Sequence, residues 1–270
     1  MKKYLVIGNP IEHSLSPKLH NFWIKNNDLN AIYEKKKTTN DELASLILDI
    51  KKKNIHGINV TVPFKKAIIP HLDCLSLESE NTQSVNTIYL DNNKVIGHNT
   101  DIEGFERSIE FSKLDTINKK VLILGAGGVV PSIIFALKKM KVSKIMISNR
   151  TKSKAESLKD LFKDLIIIDW GEVPEFDIII NATSVGLKND EDIDLDISKI
   201  GKDKFFYDVI YMPNETNFLK KGKKLGNKTE NGKLMFIYQA LAAFKVWHGI
   251  HPKINKKVIE LLNEWLGLEF

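Results

Sequence analysis

Short apolar runs alternate with amphipathic stretches along this chain, a pattern that indicates an α/β fold. The most informative run is 121–124, VLIL, because it leads into a glycine-rich turn at 125–128 and then into apolar positions spaced by three and four over 130–137. We interpret these segments as a strand buried on both faces, a tight turn and an amphipathic helix. In this order, glycines let a backbone approach a pyrophosphate at a helix N-terminus.

The glycine turn favours a dinucleotide site, although a tight turn in another type of α/β sheet is the alternative that it leaves open. The third position of the dinucleotide fingerprint, usually Gly or Ala, is Val130. The next predicted strand, 144–148, ends in Asn149-Arg150-Thr151, where an NAD site would place a carboxylate for the ribose 2′-hydroxyl. Because Arg150 can bind a 2′-phosphate through its fork of donors, the sequence favours NADP.

Two serines follow the first predicted strand, 4–7, in the segment Ser14-Leu15-Ser16-Pro17 ahead of a helical pattern. Serine is a common N-cap, and the local pattern alone favours this structural interpretation. Two hydroxyls one residue apart can also donate hydrogen bonds to a carboxylate. The sequence leaves both interpretations open.

A run from 55 to 64 predicts a strand that ends at a proline. Polar Thr61 lies inside this run and Lys65 lies just past it, where open α/β sheets place side chains that contact ligands. An exposed lysine usually serves solvation only. The functional interpretation of Lys65 therefore needs support from elsewhere in the chain.

The runs 85–90 and 94–97 flank turn-forming residues and predict a β-hairpin. Asp101 follows this hairpin at the start of a helical pattern, either as an N-cap or as a functional carboxylate. The chain shows no internal repeat and no low-complexity linker, so we expect the domain boundary near Asp101. Strands are then predicted at 165–168, 177–180 and 205–209, and helices at 218–225, 234–247 and 254–266.

The composition limits the classes of protein to consider. With 270 residues, 43% of them hydrophobic, the chain can build two modest cores. No apolar run approaches the roughly 20 residues that span a bilayer, and the single cysteine, Cys74, excludes an internal disulfide and fits a reducing cytoplasm. The formal charge of +6 suits small anionic ligands, whereas the pattern of basic residues does not predict nucleic-acid binding.

Laid out in order, the motifs of this chain resemble those of the shikimate dehydrogenase family over nearly its whole length. Those that carry the resemblance are Ser14-Leu15-Ser16-Pro17, Asn59-Val60-Thr61-Val62-Pro63-Phe64-Lys65, Val85-Asn86-Thr87, Asn99-Thr100-Asp101, Gly125-Ala126-Gly127-Gly128, Asn149-Arg150-Thr151, Asn181-Ala182-Thr183 and Tyr207-Asp208-Val209-Ile210-Tyr211-Met212-Pro213. The resemblance implies an N-terminal α/β substrate domain with a mixed sheet and a Rossmann-like parallel-sheet domain that binds NADP, with the active site in the cleft between them. We expect residues 1–101 with 236–270 to form the first domain and 102–235 the second.

The resemblance also implies roles for individual residues. Lys65 and Asp101 are expected to be catalytic. The expected substrate contacts are Ser14, Ser16, Thr61, Lys65, Asn86, Asp101, Tyr211 and Gln239. The expected cofactor contacts are Gly125, Ala126, Gly127, Gly128, Val129, Asn149, Arg150, Thr151, Lys154, Thr183, Val209 and Gly232. Lys154 stands where many family members carry a second arginine.

These residues suit the reduction of a ring ketone, 3-dehydroshikimate, to shikimate. The reaction needs a hydride on one side and a proton on the other, and a lysine ammonium held by a carboxylate supplies the proton. No metal is expected, and the partners are expected to be small molecules, bound by a monomer or homodimer. A dual-specificity quinate/shikimate dehydrogenase that uses NAD and a noncatalytic nucleotide-sensing protein are the alternatives.

Overall fold

The computed structural model describes residues 1–188, 190–198, 200–254 and 256–265. The chain divides into two compact units. The first unit comprises Met1–Gly104 and Tyr238–Phe270, and the second comprises Phe105–Ile237. Each unit contains one six-stranded sheet with helices. No helix in the described part of the chain has the length and apolar character needed to cross a membrane.

The first unit contains a mixed sheet. Its strands are β1 (Lys2–Gly8), β2 (Ala31–Lys37), β3 (Gly57–Val60), β4 (Cys74–Leu75), β5 (Thr87–Asp91) and β6 (Lys94–His98). Their order in space is β2-β1-β3-β5-β6-β4, in which β5 runs antiparallel to both β3 and β6. The helices are α1 (Ser16–Asn26), α2 (Leu43–Lys51), α3 (Phe64–Ala67), α4 (Leu77–Thr82) and α5 (Asp101–Phe111).

Helix α2 shows how the sequence builds the core of this unit. Its apolar residues at i, i+3, i+4 and i+7 are Leu43, Leu46, Ile47 and Ile50, and all four are buried in one cluster with residues of β1, β3, β5 and β6. A capping box closes the preceding turn, because the backbone N–H of Thr39 donates to Glu42 at 2.9 Å.

The second unit contains a fully parallel sheet, as predicted for a Rossmann-like domain. Its strands are β7 (Lys120–Leu124), β8 (Lys144–Ser148), β9 (Ile166–Ile168), β10 (Ile178–Asn181), β11 (Phe205–Asp208) and β12 (Lys228–Glu230), in the order β12-β11-β10-β7-β8-β9. Its helices include α6 (Val130–Lys139), α7 (Lys152–Glu156) and α8 (Asn217–Lys224). Helix α9 (Lys233–His248) is divided between the two units, and α10 (Lys256–Trp265) belongs to the first unit. The chain order reverses between β7 and β10, the position at which open α/β sheets bind ligands.

The divisions between the units fall inside α5 and α9, so the C-terminal part of α9 belongs to the first unit. There the indole Nε1 of Trp247 donates to the carbonyl oxygen of Ile88 at 3.0 Å. The indole also occupies the space in which a side chain at Gly57 would lie. Strand β3 therefore needs glycine at this position to admit the indole.

Two sequence predictions need correction in the first unit. The strand predicted over 55–64 ends at Val60, so Thr61 follows the strand and does not lie inside it. Phe64–Ala67 form a helical turn, which places Lys65 on α3. The two-residue strand β4 was not predicted. The helix predicted over 254–266 corresponds to α10, Lys256–Trp265; residue 254 is not helical, and residues 255 and 266 lie outside the described residues.

Candidate active site

Lys65 and Asp101 form a buried ion pair in the first unit. The ammonium Nζ of Lys65 donates to the carboxylate of Asp101 at 2.5 Å, and the two residues are only 9% and 6% exposed. The interpretation of Lys65 as a solvated surface lysine is therefore wrong. Asp101 is the first residue of α5, and its carboxylate binds Lys65 instead of capping the helix.

Asn86 holds the other oxygen of this carboxylate. Its Oδ1 accepts from the backbone N–H of Thr100 at 2.7 Å, which fixes the orientation of the amide because a backbone nitrogen can only donate. The amide Nδ2 of Asn86 therefore faces Asp101 and donates to Oδ1 at 2.8 Å. Asp101 thus accepts one hydrogen bond on each oxygen from predicted site residues.

Asn59 and Tyr33 extend these contacts, and neither was among the predicted site residues. Asn59 Nδ2 donates to the carbonyl oxygen of Asn86 at 3.0 Å, and its Oδ1 accepts from the Tyr33 hydroxyl at 2.6 Å. Burial raises the pKa of Tyr33 well above the ordinary value, and the Ser16 hydroxyl partly offsets this rise. His20 stacks on the Tyr33 ring at 4.2 Å. A continuous polar network therefore runs from Tyr33 through Asn59 and Asn86 to the Lys65–Asp101 pair.

The remaining predicted residues of the first unit lie on or next to α1, β3 and α9. Ser14 accepts the backbone N–H of Ser16 at 3.3 Å, and the N-cap of α1 is Leu15, so the interpretation of a serine as the N-cap is wrong. Thr61 is half-buried directly after β3, and its backbone N–H donates to Ile7 at 2.9 Å. Gln239 lies half-buried on α9.

In the glycine turn of the second unit, packing requires glycine at position 125 but not at position 127. Gly125 has a φ of 110°, and a Cβ there would lie 2.8 Å from the carbonyl oxygen of Ala182, so the fold itself requires glycine. Gly127 is exposed, and a Cβ there would have its nearest neighbour 3.9 Å away. Packing does not require glycine at this position. The space that a side chain would fill lies ahead of α6, where a pyrophosphate would bind.

The segment after β8 presents cationic side chains. Asn149 Nδ2 donates to the carbonyl oxygen of Thr151 at 2.8 Å and closes a turn that ends at the N-cap of α7. Arg150 and Lys154 are exposed, whereas the intervening Lys152 pairs with Asp169 at 2.6 Å. The exposed guanidinium and ammonium suit a phosphate monoester such as the 2′-phosphate of NADP.

Other predicted cofactor residues lie at the same edge of the parallel sheet. Thr183 follows β10 and Val209 follows β11, and both strands run parallel in the half of the sheet next to β7. The N–H of Gly232 donates to Ile210 at 3.1 Å, and a side chain at Gly232 would overlap the Val209 carbonyl. Tyr211, predicted to contact substrate, stacks on Phe236 at 4.6 Å in this unit. The predicted cofactor residues therefore share one ligand-facing edge.

Comparison with protein-family models matches both parts of the chain. Residues 6–88 match the shikimate dehydrogenase substrate binding domain, and residues 108–200 match the family of shikimate / quinate 5-dehydrogenases. The shikimate dehydrogenase (NADP(+)) of Pelagibacter ubique strain HTCC1062 is 60% identical over 97% of this chain and 99% of its own length.

Solved structures show the same similarity. The shikimate dehydrogenase of Aquifex aeolicus superposes with a TM-score of 0.88 at 38% identity, covering 97% of both chains. The shikimate 5-dehydrogenase of Thermus thermophilus, solved in complex with NADP(H) and shikimate, has a TM-score of 0.88 at 29% identity. That comparison covers 98% of this chain and 100% of the other.

Proposed function

The chain belongs to the shikimate dehydrogenase family, and on this basis we propose that it catalyses the reversible reduction of 3-dehydroshikimate to shikimate with NADPH, in aromatic amino-acid biosynthesis. The observation that carries the proposal is the buried ion pair of Lys65 and Asp101. A ketone reductase needs a cation that can release a proton beside its substrate, and a lysine held by a carboxylate meets this need.

Lys65, Asp101 and Asn86 each have a role in this chemistry. When bound, NADPH would supply the hydride for the carbonyl carbon. Lys65 gives one ammonium proton to the carbonyl oxygen as negative charge develops there, and returns to the ammonium form by taking a proton from solvent. Asp101 orients the ammonium, and Asn86 holds the carboxylate in place through its fixed amide.

The other predicted substrate contacts take roles in binding. The hydroxyls of Ser14 and Ser16 bind the ring carboxylate of the substrate. Its ring hydroxyls and reacting carbonyl are contacted by Thr61, Asn86, Tyr211 and Gln239. Tyr33, Asn59 and Asn86 form one polar network with Asp101, which supports the position of the Lys65 ammonium.

The second unit supplies the cofactor contacts. The backbone of Gly125 through Val129 approaches the pyrophosphate, and the open space beside Gly127 supports this assignment. Arg150 and Lys154 bind the 2′-phosphate, with Asn149 and Thr151 forming the turn that carries them. Thr183, Val209 and Gly232 bind the rest of the cofactor from the ends of the neighbouring strands.

We assign substrate binding to residues 1–101 with 236–270, and NADP binding to 102–235. The protein works as a monomer or homodimer on small molecules, without nucleic acid, in the cytoplasm. Sedimentation of the purified protein with and without NADP checks the proposed oligomeric state. An oligomer larger than a dimer would contradict it.

The deciding experiment is a four-way assay of shikimate and quinate, each with NADP and NAD. We expect the highest kcat/KM for shikimate with NADP. Quinate carries an extra hydroxyl beside its carboxylate, and a buried hydroxyl without a partner costs about 1 to 3 kcal/mol, so quinate should be about ten- to a hundredfold worse.

The outcomes separate the alternatives. Quinate turnover within about threefold of shikimate turnover would show a dual-specificity enzyme. Faster turnover with NAD than with NADP would overturn the assignment of Arg150. NADPH binding without turnover of either substrate would identify a noncatalytic nucleotide sensor.

A further inference from the structure

Asp208 is a fully buried carboxylate at the end of β11, and the mechanism above gives it no role. It accepts the backbone N–H of Ile210 at 2.9 Å and the hydroxyl of Thr216 at 2.6 Å. The amide Nδ2 of Asn181 lies 3.1 Å from both of its oxygens. Burial raises the pKa of Asp208 to about 6, so the group is ionised at pH 7.5 and acts only as an acceptor.

Asn181 connects this carboxylate to the loop after β10. Its Oδ1 accepts from the backbone N–H of Thr183 at 3.0 Å and from the Thr183 hydroxyl at 2.7 Å. The backbone donor fixes the amide, so Nδ2 must face Asp208 and the carbonyl oxygen of Val185, the latter at 3.1 Å. The side chain of Asn181 therefore determines the shape of the loop that carries Thr183.

The same carboxylate determines the path of the chain after β11. Its bond to Ile210 turns the backbone there, while the N–H of Val209 donates to the carbonyl oxygen of Asn181 at 3.0 Å. The carbonyl oxygen of Ile210 then accepts from Gly232 at 3.1 Å. Thr216 caps α8 by accepting the N–H of Leu219 at 3.3 Å while it donates to Asp208.

We propose that Asp208 is a positioning residue for NADP(H): its carboxylate, bonded to Asn181, Ile210 and Thr216, holds the loops of Thr183 and Val209 in the shape that binds the cofactor. The inference rests on the proposed function, because it takes Thr183 and Val209 as cofactor contacts. Every donor around Asp208 points at an acceptor-only group. A neutral amide at this position would direct its own N–H at one of these donors, and the loop would shift to relieve the conflict.

The test is the dissociation constant of NADPH for Asp208→Asn, measured on the full chain by cofactor fluorescence. We expect the Kd to rise about tenfold or more, as for the loss of hydrogen bonds to a charged group, while the KM for shikimate changes less than about twofold. Asp177→Asn is the matched control. Asp177 accepts the backbone N–H of Lys120 at 2.8 Å directly before β10, at the opposite end of that strand, so the control should keep the wild-type Kd.

A second pair of variants tests the same point if Asp208→Asn does not fold. Thr216→Ser keeps the hydroxyl that donates to Asp208 and should keep the wild-type Kd, whereas Thr216→Val removes it and should raise the Kd about three- to tenfold. A Kd within about twofold of wild type for Asp208→Asn, or for Thr216→Val where the first variant is unfolded, overturns the inference even if thermal stability falls. Failure of the wild-type protein to bind NADPH would instead overturn the proposed function.

Discussion

Replacing Lys65 tests whether this lysine transfers the proton. Lys65→Met keeps most of the aliphatic stem and removes the ammonium, while Lys65→Arg keeps a cation beside Asp101 but holds its protons at all accessible pH values. A positioned acid contributes ~10²- to 10⁴-fold to the rate, which corresponds to about 3 to 5 kcal/mol of activation free energy. We expect both variants to lose kcat by this amount, with a smaller change in the KM for shikimate.

The burial of the pair also predicts a cost in stability. Lys65 is 9% exposed and Asp101 is 6% exposed, and removing one partner of a buried pair costs about 3 to 5 kcal/mol. Rates must therefore be compared at a temperature at which circular dichroism shows that each variant is folded. Lys66 is exposed on the same helical turn, so Lys66→Met is the matched control and should behave as wild type.

The assay follows the near-ultraviolet absorbance of NADPH as it forms, with saturating shikimate and NADP in the oxidation direction. If Lys65→Met retains more than about a tenth of the wild-type kcat, the proton-transfer role is wrong and Lys65 only binds substrate. If Lys65→Arg alone retains activity, the positive charge is what matters and another group must supply the proton.

Other parts of the structure lead to three further predictions. Arg150→Ala should weaken NADP binding by about ten- to a hundredfold and leave NAD nearly unchanged, and an equal loss for both cofactors would refute its role. Gly127→Ala should keep wild-type stability and weaken NADPH binding, whereas Gly125→Ala should lower stability as well, because its Cβ would meet Ala182; calorimetry and cofactor titration separate the two. Burial, and to a smaller extent nearby His248, lowers the pKa of His20 to about 3. Burial of the neutral imidazole therefore contributes its full stability above pH 6.5, the ordinary pKa, and this contribution is lost as the pH falls from 6.5 towards 3. Between pH 7.5 and 5 the wild type should lose about 2 kcal/mol more than His20→Phe in urea unfolding, and parallel curves for the two proteins would contradict this.

The alternation of strands and helices was predictable because the longer strands are apolar runs and the longer helices have apolar residues spaced by three and four. The glycine turn after β7 and the hairpin of β5 and β6 follow from local residues alone. Strand β4 could not be predicted because it has only two residues, and β12 could not because its sequence, KTE, contains no apolar residue; β9 is equally short but is a continuous apolar run. The length of β3 was overestimated, since an apolar run before a proline does not show where hydrogen bonding to the neighbouring strands ends.

The candidate site was predictable residue by residue only through the resemblance. Lys65 and Asp101 are far apart in sequence, and no local pattern pairs them. Tyr33 was missed for a geometric reason. It lies opposite Tyr4 on β1 while Asn59 lies opposite Val6, so its side chain reaches across a whole strand, and this requires knowledge of the register on both sides of β1. Asp208 did leave a signal, because it is a charged residue that closes the apolar strand FFYD.

The C-terminal part of α9, anchored through Trp247 on β3 and β5, also has a consequence for biosynthesis. The first unit is discontinuous in sequence, so its sheet emerges from the ribosome long before the segment from Tyr238 that packs on it. At about 5 to 20 residues per second, the intervening second unit takes on the order of ten seconds to synthesise. During this interval the Trp247 indole is not yet available to pack against Gly57 and Tyr4. In the folded chain the ring centroids of Tyr4 and Trp247 are 5.0 Å apart. The second unit is continuous in sequence, so its chain is complete before that of the first unit, and we expect the first unit to finish folding last.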